Sequence, residues 1–193
     1  MNDAAFLELV KNSRSYRRFN EGERIEKETL LDLINLARLS PSGANLQPLR
    51  FIFSNEPVLN QKIFETLEWA GYLKDWDGPR AGERPSAYIV ICNDITIRKN
   101  PGCDHGIAAQ SIMLGAAALG LGGCMVGSIH REPLRKILSI DEKFKIMLVL
   151  ALGRPRETVM LEEMPQDGDI KYYRDAKDVH HVPKRKLEDI VLN

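Results

Sequence analysis

The sequence is poor in cysteine, has no excess charge of either sign and contains no long apolar run, and each absence excludes a class of protein. Its three cysteines are odd in number and show neither CxxC nor cysteine–histidine ligand spacing, so we expect no disulfide framework and no metal site. Lysine plus arginine and aspartate plus glutamate both total 27, so no net positive field would attract a phosphodiester backbone. The chain is therefore not predicted to bind nucleic acid.

Membrane-spanning and secretory features are also absent from the sequence. The most weakly polar stretch, residues 106–129, is rich in glycine and alanine and has no flanking anchors for a lipid bilayer. We interpret it as a buried helix that leads into a strand, and expect no association with a membrane. The N-terminus carries acidic residues where a secretory signal carries lysines, and Glu8 and Lys11 interrupt its apolar run. These features predict a cytoplasmic protein.

Common phosphate-binding and nucleophile motifs are missing as well. There is no GxxxxGK[ST] loop and no GxSxG elbow. Glycines at positions 120, 122 and 123 resemble part of a dinucleotide fingerprint, but they close a predicted helix and enter a strand, which is the reverse of the required order. Rossmann-type binding of FAD is therefore not expected.

Hydrophobic periodicity divides the chain into helices and strands of one domain, residues 1–193. Two apolar runs, residues 87–92 and 145–153, are typical of strands that helices cover on both faces. A further strand is predicted at 50–54, and a glycine- and alanine-rich stretch from Asp104 predicts a buried helix followed by another strand. Shorter amphipathic helices are predicted near the N-terminus, from Lys27, from Pro57 to Leu67 and from Pro133.

Two segments lack this periodicity. Residues 71–86 carry Tyr72 and Trp76 among charges and glycines, which is typical of a mobile connection or a lid. Residues 154–193 are charged and contain three prolines, so they are not expected to bury a core of their own. Their scattered apolar residues favour an extended tail that lies across another surface, and a partner subunit is the natural candidate.

Basic side chains occur in two places that suit an anionic ligand. Arg14, Ser15 and Arg17 place two guanidiniums and a hydroxyl within four residues, a combination that suits a phosphate. The alternative is a solvated basic face at the end of a helix, where cations complement the helix dipole. Lys184 and Arg185 would add cations only if the tail returns to the same site.

The loop "SPSGANLQP", residues 40–48, is unusually rich in hydrogen-bonding and turn-forming residues. The Ser42 hydroxyl and the Asn45 and Gln47 amides offer both donors and acceptors, which suits the edge of a heterocycle. The alternative is an ordinary loop whose polar side chains bond to their own backbone.

Five stretches together carry a family resemblance: "SRSYRRF", "SPSGANLQPLRFI", "GLGGCMVGS", "LALGRPRE" and "HHVPKRKLEDIV". In this order and at these separations they resemble the FMN-dependent nitroreductase-like flavoproteins across nearly the whole chain. The resemblance implies an α+β fold with a central, mostly antiparallel sheet flanked by helices. It also implies a homodimer in which a C-terminal arm, about residues 154–193, wraps the partner subunit and the two FMN sites lie at the subunit interface.

The resemblance assigns the FMN phosphate and ribityl region to basic and hydroxyl side chains. Arg14, Ser15 and Arg17 would hold this part of the cofactor, and Lys184 and Arg185 would join them from the tail.

The flavin ring would be contacted from two other stretches. Ser42 and Asn45 would meet it from the loop, with Gln47 as a direct contact or as a brace of the loop. Gly127 and Ser128 would present backbone N–H groups to flavin N5 and O4, where glycine allows the backbone to approach closely.

The resemblance implies that NADH or NADPH passes a hydride to flavin N5, and that a small organic acceptor, a nitroaromatic or a quinone, then takes it in a ping-pong mechanism. Leu49 and Met125 stand where many members of the family have tryptophan, so Tyr72 or Trp76 is expected to cover the flavin face instead. No side chain is expected to act as nucleophile or base, and no catalytic residue is assigned.

Other functions stay open because one fold hosts many reactions. A reductive dehalogenase or an enone reductase would use the same flavin scaffold. A flavin-binding or dimeric interaction protein without significant turnover is a further alternative, as is a protein with no cofactor.

Overall fold

The structure is a computed structural model that describes residues 3–73, 75–166 and 168–192. Within these ranges the α-helices are α1 (Asp3–Asn12), α2 (Lys27–Leu39), α3 (Pro57–Phe64), α4 (Asp104–Ala118) and α5 (Arg131–Leu138). The strands are β1 (Leu49–Ser54), β2 (Ala87–Asp94), β3 (Gly122–Val126), β4 (Phe144–Gly153), β5 (Val159–Glu163), β6 (Tyr173–Arg174) and β7 (His180–Lys184). A short 3₁₀ turn, Gly43–Asn45, lies in the loop before β1.

The central sheet has the strand order β1-β2-β4-β3, and each neighbouring pair is antiparallel. Every residue of β2 is buried. Because successive side chains of a strand point to opposite faces, Ile89 and Ile91 pack with α2 and α4, whereas Tyr88 and Val90 pack with α3 and α5. The predicted α+β fold, with a mostly antiparallel sheet flanked by helices, is confirmed.

The segment that follows α1 runs along the outer edge of β3. Ser15 forms a parallel bridge with Gly123, and the Tyr16 N–H donates to the Gly123 carbonyl oxygen at 2.9 Å. A Cβ at Gly123 would lie 2.8 Å from the carbonyl oxygen of Ala151, so glycine here lets β3 pack closely against β4. The sheet edge therefore holds the segment that carries Arg17.

The C-terminal segment folds into a second sheet with the strand order β5-β7-β6. β5 and β7 are parallel, and β6 is antiparallel to β7. The Arg156 N–H donates to the Arg18 carbonyl oxygen at 2.9 Å, which ties the start of this segment to the main domain. The sequence analysis predicted an extended tail and missed this sheet, because short strands that contain charges and Pro183 show no clear alternation. The arm around a partner subunit stays a prediction.

The described residues of segment 71–86 form no helix or strand, in keeping with a connection. The end of this segment is nevertheless fixed to the domain. The Glu83 carbonyl oxygen accepts from the Phe19 N–H at 2.9 Å, and the Glu21 carboxylate accepts from the Gly82 N–H. Any movement of a lid is therefore confined to the first half of the segment.

Candidate functional site

Arg17 is a buried cation without a counter-ion among the described residues. Its side chain is 8% exposed, and no carboxylate oxygen of the described residues lies within 4.0 Å of its side-chain nitrogens. Three neutral groups contact its guanidinium: Nη1 donates to the Ser15 carbonyl oxygen at 3.3 Å and lies 3.0 Å from His180 Nε2, and the Tyr172 ring centroid is 4.5 Å from Cζ. Burial of a charge without a partner is costly, so this geometry is typical of a site for an anionic ligand.

Glu157 explains why Arg17 has no carboxylate partner. The Glu157 side chain is almost fully buried, and its Oε1 accepts from the backbone N–H groups of both Arg17 and Arg18. Its Oε2 accepts from Arg174 Nη2 at 2.7 Å. The Glu157 carboxylate is thus occupied by the backbone and by another arginine, which leaves the Arg17 guanidinium available.

A cavity of about 170 Å³ opens beside Arg17, and we call it the Arg17 cavity. Gly127 and Ser128, which follow β3, line it, and their predicted contact with a flavin stays a prediction. A Cβ at Gly127 would meet no atom within 4 Å, so this side of the backbone is open. Trp69 and Tyr172 also line the cavity, and the buried Trp69 Nε1 has no hydrogen-bond partner among the described residues.

Arg14 and Ser15 have different surroundings from Arg17. Arg14 Nη2 donates to the Val10 carbonyl oxygen at 2.7 Å, so it caps the C-terminal end of α1. Its Nε is buried without a partner among the described residues, and burial lowers the pKa of Arg14. The structure brings Arg17 to the cavity and turns Arg14 toward the helix, with Ser15 held in the bridge to Gly123.

The loop with Ser42 and Gln47 lines a second cavity of about 250 Å³, which we call the loop cavity. Asp104, at the start of α4, holds this loop: its Oδ2 accepts from the Ser42 hydroxyl at 2.9 Å and its Oδ1 accepts from the Gly43 N–H at 3.0 Å. Arg50 contributes a cation to the rim. No described residue lines both the loop cavity and the Arg17 cavity.

The loop backbone adopts conformations that side chains rarely take. Ala44, Asn45 and Gln47 all have positive φ, at 51°, 55° and 50°. Gln47 Nε2 donates to Asn45 Oδ1 at 3.2 Å, so Gln47 braces the loop in the way that the sequence analysis left open. Such a concentration of unfavourable backbone conformations is typical of functional loops.

The tail reaches the Arg17 cavity through residues that the sequence analysis did not select. Lys184, at the end of β7, and Arg185 are exposed and line neither cavity. Tyr172 lines the Arg17 cavity, and His180, 1% exposed, contacts Arg17. The two adjacent histidines carried no metal-ligand spacing, and nothing else in the sequence distinguished the buried one.

The two aromatic residues predicted to cover the flavin lie in different places. The Tyr72 ring centroid is 5.0 Å from that of Tyr172, so Tyr72 packs against a residue that lines the Arg17 cavity but does not line the cavity itself. The Arg174 guanidinium lies over the Trp76 ring, with Cζ 4.5 Å from the ring centroid, and Trp76 lines neither cavity. Trp69, which comes shortly before this segment, is the tryptophan that lines the Arg17 cavity.

The described part of the chain contains no group of three or more metal-ligating side chains placed to hold an ion. None of its helices has the length and apolar character needed to cross a bilayer.

The sequence profile of the Nitroreductase family matches residues 10–154, more than half of the chain, so the chain belongs to this family. A protein of Methanothermobacter thermautotrophicus with the provisional name NADH dehydrogenase/NAD(P)H nitroreductase is 31% identical over 158 aligned positions, with 78% of each chain covered. A solved FMN-dependent nitroreductase of Clostridium difficile has a TM-score of 0.60 and 26% identity, with 78% of this chain and 88% of that chain covered.

A third relative has another activity. An iodotyrosine deiodinase of Haliscomenobacter hydrossis is 25% identical over 187 aligned positions, with 83% of this chain and 84% of that protein covered. The family and the first two relatives confirm the predicted class, an oxidoreductase with FMN as cofactor and NAD(P)H as donor.

Proposed function

We propose that this chain binds FMN beside Arg17, reduces it with NADH or NADPH, and passes the electrons to a small organic acceptor such as a nitroaromatic or a quinone. The observation that carries the proposal is the buried Arg17 guanidinium, for which no carboxylate partner lies among the described residues. FMN carries a phosphate, and its ring gains negative charge near N1 and O2 on reduction. Either part of the cofactor would compensate the Arg17 charge.

The other residues of the Arg17 cavity suit a flat, partly apolar ring. Gly127 and Ser128 offer backbone at an open strand end, and Trp69 and Tyr172 offer aromatic walls that exclude water. The open backbone and the aromatic side chains of this cavity therefore suit the isoalloxazine ring of FMN.

We further propose a homodimer in which each FMN site combines the Arg17 cavity of one subunit with the loop cavity of the other. The proposal is supported by the division of the predicted FMN ligands between two cavities that share no described residue. The end of the chain also exposes Leu187, Ile190 and Leu192, which are 72%, 60% and 99% exposed and would be covered by a partner's surface. Residues 154–193 would serve as the arm and would form one domain with the rest of the chain. The protein is further proposed to act in the cytoplasm.

The bound FMN would supply the redox chemistry, by taking a hydride from the nicotinamide and delivering electrons to the acceptor. The side chains of this chain bind and orient the ligands. Arg17 provides fixed positive charge in a buried site, where electrostatic stabilisation is strongest. Tyr172 and Trp69 keep water from one side of the cavity. Donor and acceptor would use the open face in turn, which gives ping-pong kinetics.

The test is FMN binding followed by anaerobic reduction. Wild-type protein should retain FMN after the excess is removed, and its absorption near about 450 nm should bleach with NADH or NADPH. Arg17→Gln should weaken FMN binding by about tenfold or more, because a charge-assisted contact is lost.

Arg154→Gln is the matched control for Arg17→Gln. Arg154 is half exposed and pairs with Glu23 at 2.6 Å, so its loss should leave FMN affinity unchanged. A wild-type protein that retains no flavin would overturn the proposal, as would Arg17→Gln protein with undiminished affinity.

Reductive dehalogenation is the second candidate, favoured by the iodotyrosine deiodinase relative. Halogenated phenols, nitrofurans and quinones should be compared as acceptors at one concentration of NAD(P)H. Turnover of the halogenated phenols alone would support the second candidate over the first.

A further inference from the structure

His180 lies in the interior of the tail sheet and contacts the key arginine of the site. It is the first residue of β7, is 1% exposed, and places Nε2 3.0 Å from Arg17 Nη1. Its ring centroid is 5.2 Å from that of Tyr172, whose ring also lies against the Arg17 guanidinium. The guanidinium is thus held between the imidazole edge and the tyrosine face.

The contact between His180 and Arg17 defines the state of the imidazole. An arginine side chain stays protonated in proteins and only donates, so Nε2 of His180 must accept and carries no proton. The neutral ring therefore has its proton on Nδ1, which is buried and has no partner among the described residues. Burial, then the positive charges of Arg17 and Arg174, lower the pKa of His180 to about 4, in agreement with a neutral ring.

Because His180 is a neutral acceptor, its hydrogen bond with Arg17 does not compensate the arginine charge, as a carboxylate would. Arg18 and Arg174 lie in the same region and pair with Glu83 at 3.6 Å and Glu157 at 2.7 Å, so their charges are compensated within the chain. His180 fixes the direction of the Arg17 guanidinium without cancelling its charge. The full charge then remains available to a ligand.

We propose that His180 is a positioning residue that orients Arg17 toward the negative charge of the bound flavin, a role that rests on the proposed FMN function. The negative charge belongs either to the phosphate or to the N1 and O2 region of the ring. Both present acceptor oxygens to an N–H donor, and riboflavin, which has the ring but no phosphate, distinguishes them.

The test compares two substitutions of similar length. His180→Gln keeps a carbonyl acceptor near the position of Nε2, whereas His180→Met fills the same space without a strong acceptor. Titrations that follow flavin fluorescence should give near wild-type affinity for FMN with His180→Gln and about tenfold weaker affinity with His180→Met. Should His180→Met not fold, His180→Leu removes the acceptor in the same way.

A double-mutant cycle separates positioning from general support of the tail. If His180 acts through Arg17, the Arg17→Gln, His180→Met double variant should bind FMN as weakly as Arg17→Gln alone. A role in tail stability alone would instead make the two losses multiply. His181→Gln is the control, since it alters the same strand but removes contacts to Glu162 and Asp175 rather than to Arg17.

The two flavins and the wild-type protein complete the test. A loss with His180→Met that is confined to FMN assigns Arg17 to the phosphate, and an equal loss with riboflavin assigns it to the ring; both results support the positioning role. Wild-type affinity in His180→Met would overturn that role while leaving the FMN proposal intact. A wild-type chain that binds neither flavin would overturn both proposals.

Discussion

At the scale of single residues, Asp104 connects a helix to a loop far from it in sequence. Its carboxylate is buried and accepts from the Ser42 hydroxyl and the Gly43 N–H. The Ser42 oxygen in turn accepts from the Gln47 N–H at 2.9 Å. One side chain therefore supports a loop whose positive φ angles would otherwise be unfavourable.

Asp104→Asn should disturb this loop more than the rest of the fold. The amide replaces one acceptor with a donor, which leaves either Ser42 or the Gly43 N–H poorly bonded, at a cost of about 1–3 kcal/mol in the free energy of unfolding. FMN affinity should fall by about tenfold as the loop loses its shape. Urea unfolding and FMN titration measure both effects. Asp32→Asn, at an exposed position of α2, should change neither, and an Asp104→Asn protein that matches it would refute the role of Asp104.

The residues that the sequence analysis selected as ligand contacts differ in their roles from those that it did not select. Arg17 and Ser42 were predicted because their own side chains suit a ligand. Asp104 and Glu157 were not, because each acts through hydrogen bonds to backbone that is distant along the chain. His180 was missed for a further reason: its burial depends on a sheet that the sequence pattern did not show.

At the scale of elements, the tail sheet contains two adjacent histidines with opposite electrostatics. His181 Nδ1 lies 2.9 Å from Glu162 and Nε2 lies 3.3 Å from Asp175, and the Tyr173 ring stacks on the imidazole. The hydrogen bond with Glu162 is the largest effect and raises the pKa of His181; burial opposes it, and the hydrogen bond with Asp175 adds a further rise. His180, by contrast, has its pKa lowered to about 4.

These shifts predict that the tail sheet is most stable near the ordinary histidine pKa of 6.5. The raised pKa of His181 stabilises the folded tail below pH 6.5, and this contribution is lost as the pH rises through the folded value. The lowered pKa of His180 makes stability fall as the pH decreases from 6.5 toward 4, because only the unfolded chain takes up that proton. Hydrogen exchange of the β7 amides, measured on both sides of pH 6.5 and corrected for the intrinsic exchange rate, should show the greatest protection near pH 6.5.

The variant His181→Gln separates the two contributions of the histidines. It should abolish the loss of protection on the alkaline side and leave the loss on the acidic side unchanged. Protection that rises steadily with pH in the wild-type protein would contradict the assignment for His181.

Helices and strands were predicted well where the element is buried and its sequence is apolar throughout. The apolar runs of β2 and β4 and the small residues of α4 correspond to observed elements, since a buried strand or helix needs an apolar surface throughout. The predicted helix from Pro57 to Leu67 ends earlier, at Phe64, because Leu67 pairs with Ile129 as an isolated bridge. Such long-range pairing overrides local periodicity, and the same effect produces the tail sheet.

At the scale of the whole molecule, the proposed dimer would join two cavities that each hold part of the predicted FMN ligands. Arg17 and Gly127 lie in one cavity, and Ser42 and Gln47 lie in the other. The family resemblance predicts that these residues serve one ligand at a subunit interface, and this stays a prediction. In the single subunit they line two cavities that share no described residue. A dimer with twofold symmetry would bring the Arg17 cavity of each subunit to the loop cavity of the other, which gives two sites per dimer.

Complementation between two defective variants tests this arrangement. Arg17→Gln damages one half of each site and Asp104→Asn damages the other, so each homodimer should have two weakened sites. After the two variants are unfolded, mixed and refolded together, random pairing makes about half of the dimers mixed, and each mixed dimer has one site with both halves intact. Titration at an FMN concentration between the wild-type and variant dissociation constants should therefore recover roughly a quarter of the high-affinity sites. If both halves of a site came from the same chain, every site would keep one defect and the mixture would bind no better than the separate variants.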